Sequence, residues 1–181
     1  MSLPLYRRLL GARFDELPQR VRELHDFAGL SVWHGRAKVE RGRSLPARIA
    51  AALTSLPPAT DDCPLRVTFQ ASAEKEIWAR EFGSALLRSV QYEKDGLLRE
   101  RVGPTTFVFA PLASAEGLAL RLDGFRVLGL PLPRVLHPMV RTFECERDGR
   151  YCFEVEAQLP LFGLLVRYSG SLDRMALGRR E

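Results

Sequence analysis

The 181-residue chain has few of the residues that usually announce chemistry. There are three cysteines, Cys63, Cys145 and Cys152, and three histidines, His25, His34 and His137. No C-x-x-C, no H-E-x-x-H and no second histidine at ligand spacing is present, so the pattern holds no metal site. No G-x-G-x-x-G follows a strand and opens a helix, and no cofactor is expected. Tyr168-Ser169-Gly170-Ser171 lies inside a strand pattern, not on the strand-to-helix elbow of a serine nucleophile. Three thiols cannot make a disulfide framework and read as reduced residues of a reducing compartment.

Long apolar runs are missing too. The longest candidate, residues 125–140, is broken by Pro131, Pro133 and Pro138 and carries Arg126 and Arg134. A spanning helix would need about 20 apolar residues, so no transmembrane segment is expected. After Arg7 and Arg8 the chain lacks the apolar segment and small-residue cleavage site of a secretory leader. A cytoplasmic location is therefore expected. Lysine is scarce: 24 of the 27 basic residues are arginine, scattered from Arg7 to Arg180. The net charge is +5, but no basic block or interleaved aromatic stripe accompanies it, which argues against specific nucleic-acid binding.

What remains is an ordinary globular composition, 46% hydrophobic and 27% charged. One domain over 1–181 is expected, with helices and a first strand in 1–63, a meander over 64–172 and a flexible tail over 173–181. Pro4 and Gly11 bracket a short helix at Leu5–Leu10. A second starts at Pro18 and aligns Leu17, Val21, Leu24 and Phe27. A strand follows at 31–41. Ser44 then caps a third helix, to about Thr54, whose stripe is Leu45, Ile49, Ala52, Leu53 and Leu56.

From Pro64 to Leu172 the period becomes two. It predicts strands at 64–71, 74–82, 85–93, 97–102, 105–111, 117–127, 139–146, 150–158 and 164–172. Short turns between them imply an antiparallel meander. The expected class is α+β: a long, curved, partly closed sheet of nine or ten strands with the N-terminal helices packed on it. Trp78 and Phe82, alternating with Ile77 and Ala79, read as core between sheet and helices.

Turn chemistry sets the registers. Lys94-Asp95-Gly96 and Arg147-Asp148-Gly149 are read as three-residue loops, pairing Tyr92 with Leu98, Val90 with Glu100 and Phe143 with Phe153. That register sends Cys145 and Cys152 to opposite faces. Gly103-Pro104 fits a type II′ turn, and the last hairpin sets Val155 by Val166 and Phe153 by Tyr168. The concave face then carries Tyr92, Phe107, Phe109, Phe153 and Tyr168. It also carries Arg88 and Glu100, an inward ion pair that is costly unless satisfied and so marks a polar site. His137, in the proline-rich segment Gly129–Pro138, is the remaining candidate for a ligand contact or general base.

Several of these segments form a combination. They include Tyr6-Arg7 with Leu10-Gly11, Leu17-Pro18, Trp78 with Arg80 and Phe82, Gly129-Leu130-Pro131-Leu132-Pro133, and Gly163-Leu164-Leu165-Val166-Arg167-Tyr168-Ser169-Gly170. In these the chain resembles, over about 3–172, the bacterial family known as domain of unknown function 4166. The resemblance implies no activity. Family members are sometimes fused to saccharopine dehydrogenase-like reductases, which implies a reductase-like protein partner by analogy only.

Three functions are open at this point. A curled sheet with an apolar concave face suits a small apolar molecule or lipid. An interaction domain would dock on a reductase-like partner through the proline segment. A cofactor-free cyclase or isomerase would use Arg88, Glu100 and Tyr168 as acid–base groups. A filled core favours interaction, a dry apolar cavity a carrier, and a cavity with polar residues an enzyme.

Overall fold

The computed structural model describes residues 3–175. Helix α1 (Leu5–Leu10), a 3-10 turn (Gly11–Glu16) and α2 (Gln19–His25) precede β1 (Leu30–Arg41). Helix α3 (Leu45–Leu53) leads to β2 (Thr60–Ala71), β3 (Glu76–Phe82), β4 (Ala85–Lys94), β5 (Leu97–Val102) and β6 (Thr105–Ser114). After β7 (Gly117–Val127) and a two-residue β8 (Leu130–Pro131) come β9 (Met139–Arg147), β10 (Arg150–Leu159) and β11 (Gly163–Arg174). Each long strand pairs antiparallel with its sequence neighbours. Because β11 returns to β1 and β7 reaches β9, the ten long strands close into a barrel. The α+β meander expected from the period-two pattern is present, and closed. The tail is a correction in part: β11 runs to Arg174, so 173 and 174 belong to the barrel, while 176–181 lie outside the described residues.

Three registers also differ from expectation. Asp95 (φ 57°) and Gly96 (φ 72°) both sit in the left-handed region, as do Asp148 (φ 51°) and Gly149 (φ 70°). That is the type I′ two-residue turn, whose twist matches the flanking strands better than a looser loop does. Tyr92 therefore faces Arg99 and Val90 faces Arg101, while Cys145 lies directly opposite Cys152 and Phe143 opposite Glu154. In the last hairpin Val155 faces Tyr168 and Ala157 faces Val166, a two-residue shift that keeps each side chain on its face. Gly103 alone is left-handed in its turn and Val102 pairs with Thr105, as the type II′ reading requires.

The barrel wall is thin where β1 meets β11. A Cβ on Gly35 would collide with the Ser171 carbonyl, and one on Gly170 with the Arg36 carbonyl. Only glycine lets these backbones approach and bend.

The two ends are built differently. At one, α1, the 3-10 turn and α2 plug the barrel with buried Leu5, Tyr6, Phe14, Val21 and Leu24. The plug is tied down by Arg20, whose Nε donates to Gly149 O (2.7 Å) and whose backbone N–H donates to Glu146 (3.0 Å). At the other end α3 lies close to backbone, with Leu53 O only 2.7 Å from where a Gly103 Cβ would stand. So close an approach admits only small side chains. Ala47 and Ala51 are buried, whereas Leu45, Ile49 and Leu53 are exposed, reversing the expected apolar stripe. Among the described residues no helix is long and apolar enough to cross a membrane.

The corrected register has a chemical consequence. Directly opposed residues of an antiparallel pair have Cα atoms about 4.5–5.5 Å apart, inside the range a disulfide tolerates. Copper–phenanthroline treatment of the native protein should join Cys145 to Cys152. Thiol titration in denaturant should then fall from three to one, with buried Cys63 left free. A count that stays at three would contradict this pairing.

Candidate functional site

Ten strands enclose more width than their own side chains fill. The plug takes one end of the lumen, and a cavity of about 170 Å³ remains in the other. Its walls are apolar: Leu87, Phe107, Phe109, Leu120, Val155 and Val166. Ala50, Thr54 and Leu56, on and just after α3, line its mouth together with Pro138 and Leu159. A smaller cavity of about 50 Å³ adjoins it and shares Trp78, Arg80, Glu144 and Tyr168. A further concavity, about 470 Å³, is an open groove past Arg36, Lys38, Cys152 and Ser169. Arg36 there is matched by Asp62 and Lys38 by Asp61, and the groove is open to solvent, so the enclosed cavity is the better site.

The floor of that cavity is polar. Arg80 on β3 is held by three groups: Nη1 donates to Ser89 Oγ (2.9 Å), Nη2 to Glu100 Oε1 (3.4 Å), and the guanidinium lies 4.8 Å from the Trp78 ring centre. The side chains of Arg80 and Glu100 are only 13% and 14% exposed. At that burial a lone charge would be prohibitive, so each makes the other tolerable. Beside them the Tyr6 hydroxyl donates to Gln91 Oε1 (3.0 Å). The Tyr6 ring packs against His25 (3.9 Å between centroids), and His25 Nε2 meets Glu144 Oε2 at 2.6 Å. Inside the barrel the plug thus meets β4 through Tyr6 and β9 through His25.

Tyr168 stands differently. It lines both cavities, and among the described residues its hydroxyl has no hydrogen-bond partner. Burial first, then the nearby carboxylates, push its pKa up against the pull of Arg80, so it stays a neutral donor and acceptor. Burial likewise raises Glu76, whose Oε2 accepts from the Trp78 indole (3.1 Å) while Oε1 has no partner among the described residues. Among the described residues no group of three or more His, Cys, Asp or Glu could hold a metal ion.

Of the residues singled out from the sequence, Glu100, Phe107, Phe109 and Tyr168 do meet at this cavity, and Phe153 lines the smaller one. Arg88 does not. It is exposed on the outer face opposite Ala79, and Tyr92 is half-buried on that same outer face. His137 stays in its loop, bonded to Leu132 O (2.9 Å) and edge-on to Phe125. The error on β4 has a physical cause. Its more apolar face, with Leu86, Val90 and Tyr92, points outward, because at this level the interior is polar and takes Ser89 and Gln91. Arg80, the partner Glu100 does have, was legible as the residue sharing a face with Trp78 and Phe82. The pairing of Tyr6 with Gln91 and of His25 with Glu144 carries no local sequence signal, since these contacts span 85 and 119 residues.

Two measurements follow. Arg80→Met leaves Glu100 buried without its cation and should cost about 3–5 kcal/mol in urea unfolding, with much of it recovered in Arg80→Met/Glu100→Leu. Sub-kilocalorie additive effects would show two solvated residues instead. Glu76 tests the pH dependence. A carboxyl raised in the folded state contributes stability below its unfolded pKa, about 4.3, and loses it as pH rises through the folded value. Glu76→Gln keeps an acceptor for Trp78, so its stability relative to wild type should grow from acid to neutral pH. A flat difference would refute the burial argument.

Comparison with known proteins accords with the segments identified above. The chain matches the family described as domain of unknown function (DUF4166) over residues 17–172. No curated protein matches it. The match takes in every barrel strand and α2, from Leu17 at the plug to Leu172 near the end of β11, and the chain belongs to the domain of unknown function 4166 family.

Proposed function

We propose that this barrel binds a small, largely apolar molecule through its lumen, with one polar group of the ligand turned toward Arg80, Glu100 and Tyr168. The observation that carries the reading is the join of an apolar-walled cavity to a buried polar floor that includes an unpartnered hydroxyl. Apolar walls supply affinity without direction, and a few fixed polar groups supply orientation. The size narrows the occupant. A cavity of about 150 Å³ takes benzene, so the 170 Å³ here admits a ring or a short chain whole. A longer molecule has to extend out past Ala50 and Pro138.

The polar floor also favours a second reading, acid–base conversion of the bound molecule. Glu100 and Tyr168 face the same space, and Arg80 is placed to stabilise a developing negative charge. The two readings separate on the fate of the ligand. A carrier returns it unchanged, and an enzyme returns an isomer. Docking of a reductase-like partner is compatible with either and has no support of its own in the geometry.

Native mass spectrometry of freshly purified protein should show a co-purified small molecule. Ala157→Trp, which fills the lumen between Val155 and Val166, should be folded and free of it. In titrations with cis-parinarate, wild type should bind and Ala157→Trp should not. Equal binding by both, or none by wild type, would remove the lumen as the site.

A further inference from the structure

Successive antiparallel strands send alternate connections to opposite ends of the barrel, and the connections at the two ends differ in charge. At the plugged end all four hairpin turns carry an exposed acid, Glu74, Asp95, Glu116 and Asp148, beside Lys75 and the plug arginines Arg7, Arg8, Arg13, Arg20 and Arg22, so charges of both signs are mixed there. At the open end the five connections are residues 42–59, 83–84, 103–104, 128–138 and 160–162, and none contains Asp or Glu. They carry Arg43, Arg48 and Arg134, all exposed and, among the described residues, without an ion-pair partner. The acids on the strands flanking this end are matched: Glu40 and Glu156 by Arg167, Asp61 by Lys38 and Glu81 by Arg66. The open end therefore presents net positive charge.

The same connections expose large apolar side chains. Ile49 and Leu53 of α3 are 53% and 62% exposed, Leu128 and Val135 are 79% and 78%, and Leu161 and Phe162 are 99% and 52%. Three contacts bring these separate connections together at one rim. Leu53 O approaches Gly103, Leu128 N–H donates to Pro104 O (2.8 Å), and the Ser44 hydroxyl donates to Phe162 O (3.3 Å). The cavity mouth, marked by Ala50, Leu56, Pro138 and Leu159, lies within that rim.

We propose that the open end docks on the surface of an anionic lipid bilayer, setting the cavity mouth against the acyl boundary. Apolar side chains on several short connections can dip together into the headgroup boundary, while unpaired arginines meet lipid phosphates. The charge pattern selects this occupant. A surface of one sign complements anionic headgroups, and its arginines share the rim with the exposed apolar side chains, which orients the barrel. The proposal rests on the ligand-binding reading for its purpose, since a molecule too long for the lumen would pass through the mouth directly into lipid. As a docking surface it stands on its own observations.

The test is flotation of the full chain with vesicles of phosphatidylcholine, alone or mixed with phosphatidylglycerol. Wild type should float with the mixed vesicles and stay behind with the neutral ones. Leu161→Asp/Phe162→Asp and Arg43→Glu/Arg134→Glu change exposed residues, so both should keep the wild-type melting temperature. Each should lose about tenfold or more in vesicle partition. Both should still bind cis-parinarate in vesicle-free buffer, whereas Ala157→Trp should lose parinarate and still float. Parinarate failure in wild type would thus remove the ligand reading and leave docking standing. Wild type that ignores both vesicle types overturns the proposal, and so do rim variants that float as well as wild type. A dimer that the rim substitutions dissociate, without flotation, would assign the face to a second copy of the chain and also overturn it.

Discussion

Closure of the sheet is the constraint from which the rest of the molecule follows. With β11 returning to β1 and β7 bridging to β9, every long strand among the described residues has a neighbour on each side. A ring of ten strands, unlike one of eight, is too wide for inward side chains to meet across it. Something has to occupy the middle. The chain's own first helices fill one end, and α3 lies too close to backbone to fill the other with anything larger than alanine. The remaining space is the cavity. The weakest part of the ring is the β7–β9 seam, where only two residue pairs are in register and the Thr142 hydroxyl accepts from Leu120 N–H in place of a ladder bond (2.9 Å).

A hollow interior changes what its floor can be made of. Polar residues placed there pair with one another between plug and wall: His25 with Glu144, Tyr6 with Gln91, and Arg80 with Ser89 and Glu100. Such a network holds the helices in one orientation on the barrel, because each hydrogen bond fixes a length and a direction. The same network gives the cavity its one direction. Apolar walls cannot distinguish the two ends of a ligand, but a guanidinium beside a free hydroxyl can.

Much of this was legible in the sequence, for local reasons. Strand bounds at 97–102 and 117–127 and the helix at Leu5–Leu10 follow from period and punctuation, which act over a few residues. The type II′ turn at Gly103-Pro104 follows from two adjacent residues. What failed depends on the interior as a whole. β4 was turned inside out because the rule that the apolar face points inward assumes a dry core, and here Ser89 and Gln91 face a polar one. The stripe of α3 failed for the opposite reason, since Leu45, Ile49 and Leu53 are apolar residues left outside. Glu100 was found and given Arg88, when the cation that meets it is Arg80, one strand farther along the ring.

The account depends above all on the lumen being hollow and reachable in solution. Methyl-resolved NMR under xenon pressure tests that directly, since xenon enters dry apolar cavities and shifts the methyl groups around it. The expected result is saturable shifts confined to wall residues such as Leu87, Leu120, Val155 and Val166, with Leu5, Val21 and Leu24 of the plug unmoved. Absence of shifts at the wall, or equal shifts throughout the plug, would show a filled barrel and contradict the account.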